Sequence, residues 1–209
     1  MRKIIFILLV IFSFHCKAQT KAITFDITKI ADSLRTVDVD TFIVYKNYFI
    51  GGHKGVTIDR NASKEEIREK YCEISDPIYI IYKSKGKTNI QKRNECYFYK
   101  TIPIDTSVAI IFFIKHFNEI LKEKIYNNAY NISKDGDTSY VYQEHSGITE
   151  MYLSLGILKK EITIDWFDFS ENSIVGQINL NYQHNINTKM KYFDTLLSNK
   201  LYSLVFTKD

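Results

Sequence analysis

The sequence has few of the residues that interrupt or cross-link a chain. Its 209 residues include two prolines and eight glycines, which excludes a linker-rich or disordered protein. Three cysteines are too few to define a disulfide framework. After residue 18, no apolar run approaches the roughly 20 residues that a membrane-spanning helix needs. Because 45% of the residues are hydrophobic, the remaining interpretation is a globular domain.

Local catalytic and nucleotide-binding signatures are also missing. Neither Gly-x-Ser-x-Gly nor His-Glu-x-x-His occurs in the chain, and these motifs mark serine hydrolases and zinc metalloproteases. Gly86-Lys87-Thr88 has Ile81 where a phosphate-binding loop has its first glycine. The glycine-rich segment 51–55 lacks the spacing of a dinucleotide fingerprint. We therefore expect no cofactor.

Two patterns resemble fragments of metal sites. The segment 131–137 imitates the start of a calcium loop, but Tyr142 occupies the position of the bidentate glutamate. His116 and Glu119 are spaced one helical turn apart, and no second histidine-containing half lies near them in the sequence. We expect a turn and a solvated histidine at these places, and no metal site.

The N-terminus has the pattern of a secretory signal. Arg2 and Lys3 precede an apolar run over 4–14, and Ala18 provides a small residue for cleavage. The ending Cys-Lys-Ala-Gln resembles the signal ends of exported proteins from Gram-negative bacteria of low GC content. We predict a cleavable signal peptide over 1–18 and a periplasmic or secreted bacterial protein. A retained membrane anchor and a lipid anchor at Cys16 are the alternatives.

The net charge of the mature chain argues against nucleic acid as a partner. Three of the 28 basic residues and none of the 24 acidic ones lie in the predicted signal, which leaves a net charge of +1. A nearly neutral domain has no electrostatic basis for binding phosphate backbones.

The order of predicted elements indicates an α+β fold. Fifteen tyrosines and fourteen phenylalanines favour half-buried sheet positions. Helical spacing or capping predicts helices over 24–37, 64–74 and 106–127 and a late helix around 190–199. Strand patterns occupy 41–50, 77–83, 88–102, 138–144, 149–155, 161–169, 173–182 and 201–206. We expect helices packed on a largely antiparallel sheet in a single globular domain over 19–209.

One helix carries a stronger expectation about burial. The segment 108–114 is apolar on every side, which predicts that this end of the helix is buried all round.

Two cysteines, Cys72 and Cys96, remain after the predicted signal. In an oxidising compartment such a pair tends to form a disulfide. Two free buried thiols are the alternative, and the spacing does not choose between them.

Two clusters of charged residues offer candidate sites. Asp165, Asp168 and Glu171 surround Trp166 and Phe167, a combination that a glycosidase cleft uses. In a regular strand Asp165 and Asp168 point to opposite faces, so they could act together only across a bulge or a turn.

The second cluster is basic. The hairpin tip carries three candidate binding residues, Lys83, Lys85 and Lys87. They could dock an acidic partner, or they could protect an exposed sheet edge.

The leading hypothesis is a non-enzymatic binding or interaction domain outside the cytoplasm, with a protein partner, such as a toxin, as one concrete form. A cell-envelope or glycan hydrolase that uses Asp165, Asp168 or Glu171 is the first alternative. A structural envelope component is the second.

Overall fold

The computed structural model describes residues 26–51, 61–104, 108–132, 136–173 and 176–209. The predicted signal peptide with Cys16, most of the glycine-rich turn and part of the calcium-like segment lie outside the described residues. The helices are α1 (Ile27–Thr36), α2 (Lys64–Ile74), α3 (Val108–Lys122), α4 (Tyr182–Ile186) and α5 (Lys189–Tyr202). The strands are β1 (Thr41–Phe49), β2 (Ile78–Ser84), β3 (Lys87–Arg93), β4 (Ile102–Ile104), β5 (Ala129–Asn131), β6 (Thr138–Tyr140), β7 (Gly147–Leu155) and β8 (Leu158–Asp165).

Six of the strands form one antiparallel sheet in the order β4-β3-β2-β1-β7-β8. The strands β5 and β6 pair separately. Since the helices pack on an antiparallel sheet, the predicted α+β class is confirmed.

The sheet is covered on both faces, and its side chains alternate between two cores. Ile43 and Tyr45 of β1 pack with α3 and α5 in the larger core. Phe42 and Val44 pack with α1 in the smaller core on the opposite face. The result is three layers, with β1 in the middle of the central one.

Local sequence signals placed several elements correctly. Ser63 caps α2 in a reciprocal capping box with Glu66, as the spacing predicts. The β2–β3 hairpin turns at Lys85-Gly86, whose φ angles of 50° and 76° are those of the type I′ turn that suits a two-residue hairpin loop.

The expectation that 108–114 is buried all round is wrong. Ala109, Ile110 and Phe113 are buried, but Val108 is 68% exposed and Ile111 is 51% exposed. The helix lies on the surface of the sheet and has nothing packed over its outer side among the described elements. Its apolar composition therefore does not report its burial.

Helix α3 is also shorter than predicted, and a lysine side chain from the sheet donates hydrogen bonds to the carbonyl groups at its end. Lys160 of β8 donates through Nζ to the carbonyl oxygens of Ile120 at 2.6 Å, Leu121 at 3.1 Å and Glu123 at 2.8 Å. The last carbonyl groups of a helix have no hydrogen-bond donor within the helix, and the Lys160 ammonium group is the donor here.

Two predicted strands do not form. In the segment 173–182, the described residues form no strand: the Asn179 side chain donates to the carbonyl oxygens of Asp168 and Ser170, and Tyr182 begins α4. The segment 201–206 begins inside α5, because Leu201 continues the buried stripe of Phe193 and Leu197. Both errors come from reading apolar residues as strands where tertiary contacts favour other structure.

A disulfide joins Cys72 at the end of α2 to Cys96 in the loop after β3. Cys72 is completely buried, and its carbonyl oxygen accepts a hydrogen bond of 2.8 Å from Asn94 Nδ2. The disulfide therefore anchors α2, which connects β1 and β2, to the loop that follows β3.

In the described part of the chain, no helix is long and apolar enough to cross a bilayer.

The disulfide closes a loop with a sequence separation of 24 residues. We expect the variant Cys72→Ser/Cys96→Ser to lower the free energy of unfolding by about 3 kcal/mol, because the unfolded chain gains conformational freedom. Urea denaturation measures the change. Reductant should destabilise the wild type and leave the variant unaffected; equal midpoints for the oxidised wild type and the variant would contradict the prediction.

Candidate functional site

The described part of the chain contains an aromatic pocket at one end of the sheet. It has a volume of about 170 Å³ and forms where β1 ends, β2 begins and β8 is followed by a 3₁₀-helix. We call it the aromatic pocket. Its walls are Asn47, Tyr48, Phe49, Asp76, Pro77, Tyr79, Trp166 and Tyr202.

Strand pairing holds Trp166 in the wall. Gly147 of β7 lies opposite Phe49 of β1, and the Trp166 ring lies directly on Gly147, where a Cβ atom would overlap the ring carbons. The indole Nε1 donates a hydrogen bond of 2.9 Å to Thr149 Oγ1. The Phe49 ring packs edge-on at a centroid distance of 5.2 Å. The position of the indole is therefore set before any ligand arrives.

Two polar side chains at the end of β1 donate hydrogen bonds within the protein, Tyr48 on one face of the sheet and Asn47 on the other. The Tyr48 hydroxyl donates to Glu150 Oε1 at 2.7 Å, and Asn47 Nδ2 donates to the Tyr45 hydroxyl at 3.0 Å. The other amide atom of Asn47, Oδ1, is buried and has no hydrogen-bond partner among the residues that the structure describes.

A buried polar chain supports Asn47 from behind. The Tyr45 hydroxyl donates to Asp194 Oδ1 at 2.9 Å, and Lys191 Nζ lies 3.6 Å from Asp194 Oδ2. Burial raises the pKa of Asp194, and the adjacent Lys191 ammonium opposes this shift. Burial and the Asp194 charge raise the pKa of Tyr45. This series of hydrogen-bonded side chains holds the end of β1 against α5.

Tyr48 and Tyr79 keep their protons at neutral pH because the pKa of each hydroxyl is raised. Burial raises the pKa of Tyr79 to about 12. Burial, together with the hydrogen bond to Glu150, raises the pKa of Tyr48. The rings therefore present neutral aromatic faces.

The predicted acidic residues lie beside this pocket and are not part of its wall. Strand β8 ends at Asp165, which caps the 3₁₀-helix by accepting hydrogen bonds from Ser146 Oγ and, at 2.9 Å, from the Phe167 amide. Asp168 is half-buried three residues later, and Glu171 is exposed. A turn, and not a regular strand, separates the two aspartates, and one 3₁₀ turn brings residues three apart close together.

The carboxyl group of Asp168, near the pocket, has a strongly raised pKa. Burial raises its pKa to about 6, and the charge of Asp165 adds to the shift. A hydrogen bond of 2.8 Å from the Asn128 amide to Asp168 Oδ1 opposes it.

Three buried asparagines, Asn128, Asn179 and Asn185, hold the loops around Asp168 together. The Nδ2 groups of Asn179 and Asn185 donate to the Asp168 carbonyl at 3.2 Å and 2.9 Å, and Asn128 Nδ2 donates to the Phe167 carbonyl at 3.2 Å. Sequence reasoning missed them. Asparagine is usually exposed, and no periodic pattern connects these three positions, one of which, Asn185, lies in α4.

The lysine hairpin tip lies at the opposite end of β2 from the aromatic pocket. Lys83, Lys85 and Lys87 are all exposed, and no described carboxylate forms an ion pair with them. Seven strand residues separate the tip from the pocket, or about 20 Å. The tip and the pocket are separate surfaces.

The remaining predicted features take no part in the pocket. His116 Nδ1 and Glu119 Oε1 lie 2.8 Å apart on α3. The expectation of a solvated histidine is wrong, because the His116 side chain is only 17% exposed and its ring packs against Phe112. Among the described residues, no three histidine, cysteine, aspartate or glutamate side chains gather into a metal site.

Comparison with known proteins adds no relative: the chain matches no family model, and neither the curated proteins nor the solved structures include a similar one.

The contact between Gly147 and Trp166 allows a direct test of the pocket wall. In Gly147→Ala the new methyl group would overlap the indole, so the ring must move. We expect a shifted tryptophan emission maximum and a loss of about 1–3 kcal/mol in the free energy of unfolding. Gly156→Ala is the control for emission, since nothing lies within 4 Å of its Cβ position. Emission that stays unchanged in Gly147→Ala would contradict the placement of the ring.

The raised pKa of Asp168 predicts a pH-dependent stability. Between its usual value of 3.8 and about 6, the folded state holds a proton that the unfolded state has released. The stabilisation is complete below pH 3.8 and is lost as the pH rises through about 6. Because Asp168 is partly in contact with solvent, we expect a modest loss of about 1 kcal/mol.

Urea denaturation at several pH values, with Asp168→Asn as the comparison, measures this loss. The wild type should lose stability relative to Asp168→Asn as the pH rises, because asparagine does not ionise. Glu171→Gln replaces an exposed carboxylate and should follow the wild type. Parallel curves for the wild type and Asp168→Asn would show that the folded-state pKa is not raised.

Proposed function

We propose that the mature chain is a non-enzymatic binding domain that acts outside the cytoplasm and holds its ligand in the aromatic pocket. The observation that carries the proposal is a preformed concave wall with four aromatic side chains. They are Phe49, Tyr79, Trp166 and Tyr202; the Tyr48 side chain points to the opposite face of the sheet, where it contacts Glu150. A concave apolar site with a few polar groups is the usual form of a binding site, and this wall contains neither a serine or cysteine nucleophile nor a pair of carboxylates.

The size of the pocket supports a ligand that inserts one group. Sites for whole drug-sized molecules have volumes of roughly 300–1,000 Å³, and this pocket has about 170 Å³. A side chain of a protein partner or the end of a larger molecule fits this volume. Tyr202, at 69% exposure, and Phe49, at 53%, extend the aromatic surface around the opening. Rigid aromatic side chains of this kind are enriched at binding hot spots.

Two observations support a location outside the cytoplasm. The disulfide between Cys72 and Cys96 is of a kind that persists in oxidising compartments. The predicted signal over 1–18 has the charged start, apolar middle and small-residue exit of a secretory signal. A periplasmic or secreted protein accounts for both.

Trp166 is the sole tryptophan of the chain and reports directly on the pocket. We expect its fluorescence to change on titration with at least one class in a panel of amines, sugars, carboxylates and neutral apolar compounds. Tyr202→Ala should weaken that binding about tenfold or more, as the loss of an aromatic hot spot does. Tyr142→Ala is a matched control, because both tyrosines are 69% exposed and Tyr142 lies outside the wall. A panel without any response, or equal loss in both variants, would refute the pocket as a binding site.

If the ligand is a protein partner, such as a toxin, the hairpin tip provides a second contact surface for it. Its three ammonium groups, which pair with no carboxylate of a described residue, would attract an acidic surface. A poly-glutamate peptide is a defined probe for this attraction. Replacing Lys83, Lys85 and Lys87 by alanine should weaken binding roughly tenfold at low salt. Replacing the exposed Lys29, Lys64 and Lys124 changes the net charge equally, and an equal effect would remove the tip as a specific surface.

One observation favours hydrolysis as a second candidate function. A carboxyl with a pKa of about 6 beside a second aspartate resembles the acid and base of a glycan hydrolase. This candidate predicts turnover of cell-envelope glycans that Asp168→Asn and Asp165→Asn abolish and Glu171→Gln reduces. The absence of turnover by the wild type would leave these residues with their structural roles.

A structural envelope component would instead self-associate at micromolar concentration, which sedimentation measures.

A further inference from the structure

We propose that two copies of this chain pair through strand β8, antiparallel and around a two-fold axis, so that the sheet of one copy continues into the sheet of the other. The inference goes beyond the proposed function and does not depend on a ligand in the aromatic pocket. Three features of the described residues carry it: the contrast between the two edges of the sheet, the outward backbone groups of β8 and the order of charges along this strand.

The two edges of the six-stranded sheet differ. Strand β4 forms one edge; it has three residues, and Pro103 in its middle has no amide hydrogen. A short edge strand that contains proline is a common protection against pairing with another chain. Strand β8 forms the other edge with eight residues, none of them proline or glycine. The protection found at β4 is therefore missing at β8.

Every second residue of β8 directs its backbone groups away from β7. Leu155 and Leu158 close a two-residue loop, so they exchange hydrogen bonds, and bonded pairs then alternate with non-bonded pairs along the ladder. The amide and carbonyl groups of Lys159, Glu161 and Thr163 consequently point outward. No backbone group of a described residue bonds to them, so this edge is available to another strand.

The face of the sheet beside these residues is open as well. Lys159, Glu161 and Thr163 are exposed. A groove of about 470 Å³ lies next to them, between β8, the neighbouring residues of β7 and β1, and the start of α1. The side chains of an added strand would therefore meet solvent and not the packed core.

The charges along β8 select one position for the two-fold axis. An axis at Lys159, Lys160 or Glu161 would place each of these residues opposite its own copy, and like charges directly opposite each other destabilise a strand pair. An axis at Thr163 would place Glu161 opposite Asp165, again two like charges. Within 159–163, only an axis at Ile162 avoids this repulsion.

With the axis at Ile162, β8 is complementary to itself. Lys159 lies opposite Asp165 of the second copy at both ends of the paired segment, and Glu161 lies opposite Thr163. Opposite charges in directly facing positions stabilise a strand pair. Residues 159–165 of each copy pair over roughly 23 Å. This complementarity under a two-fold rotation identifies a second copy as the partner of the edge.

Sedimentation equilibrium of the mature chain, from micromolar to millimolar concentration, measures the pairing. We expect a monomer–dimer equilibrium without larger species, because the two ends of the joined sheet are the protected β4 edges. A monomer at every concentration would overturn the inference. Open-ended assembly would also overturn it and would support a structural envelope component instead.

Charged variants at Thr163 test the position of the axis. Thr163→Lys places an ammonium group opposite Glu161 of the second copy, so we expect the dimer to form several-fold more tightly. Thr163→Glu places a carboxylate there and should weaken the dimer several-fold. Thr195→Lys and Thr195→Glu are the matched controls, since Thr195 is an exposed threonine on α5. Equal effects at the two sites, or the reverse order at Thr163, would overturn the proposed pairing.

Thr163→Pro tests the backbone hydrogen bonds. Proline removes an outward amide hydrogen, which an edge strand tolerates within its own fold, and we expect the dimer to weaken at least about tenfold. Thr163→Val keeps the amide and should dimerise as the wild type does. Trp166 emission shows whether each variant is folded; if the proline variant is not, the charged variants decide. A folded Thr163→Pro that dimerises like Thr163→Val would overturn the inference.

Discussion

The structure depends on the burial of β1 on both of its faces. Four consecutive residues, Phe42 to Tyr45, are at most 2% exposed and alternate between the two cores. This arrangement requires a partner strand on each side and a helical layer above and below. The nine-residue pairing with β7 and the packing of α1, α3 and α5 meet these requirements. The position of the pocket follows, because it lies where the double burial of β1 ends.

The order and pairing of the strands determine which side chains form the aromatic pocket. Pairing of β1 with β7 sets Gly147 beside Phe49, and the missing side chain leaves room for the Trp166 ring. Helix α5 then brings Tyr202 from the far end of the chain. Behind the wall, hydrogen bonds from Tyr45 to Asp194 and from Asn47 to Tyr45 hold the site in shape. Such prior fixation lowers the entropy that a ligand must lose on binding.

Much of the fold could be predicted, because its signals are local. The capping box at Ser63 and the two-residue turn at Lys85-Gly86 need information from only a few neighbouring residues. The predictions failed where distant groups decided the outcome. Lys160 of β8 bonds to the last carbonyl groups of α3, Asn179 bonds to the carbonyl of Ser170 instead of lying in a strand, and the outer side of α3 stays exposed despite its apolar composition. The candidate site was only half predicted: Trp166 and its acidic neighbours were singled out, but the other walls of the pocket were not.

The sequence by itself determined the fold class, the order of most elements and the pair of cysteines available for a disulfide. These follow from periodicity, capping and composition, which act over a few residues. Only the tertiary structure decided that Cys72 and Cys96 are joined, and that rings from four separate segments form one pocket. The physical reason is that strand pairing and core packing bring together residues far apart in the chain. No short-range pattern records which of their side chains will share a wall.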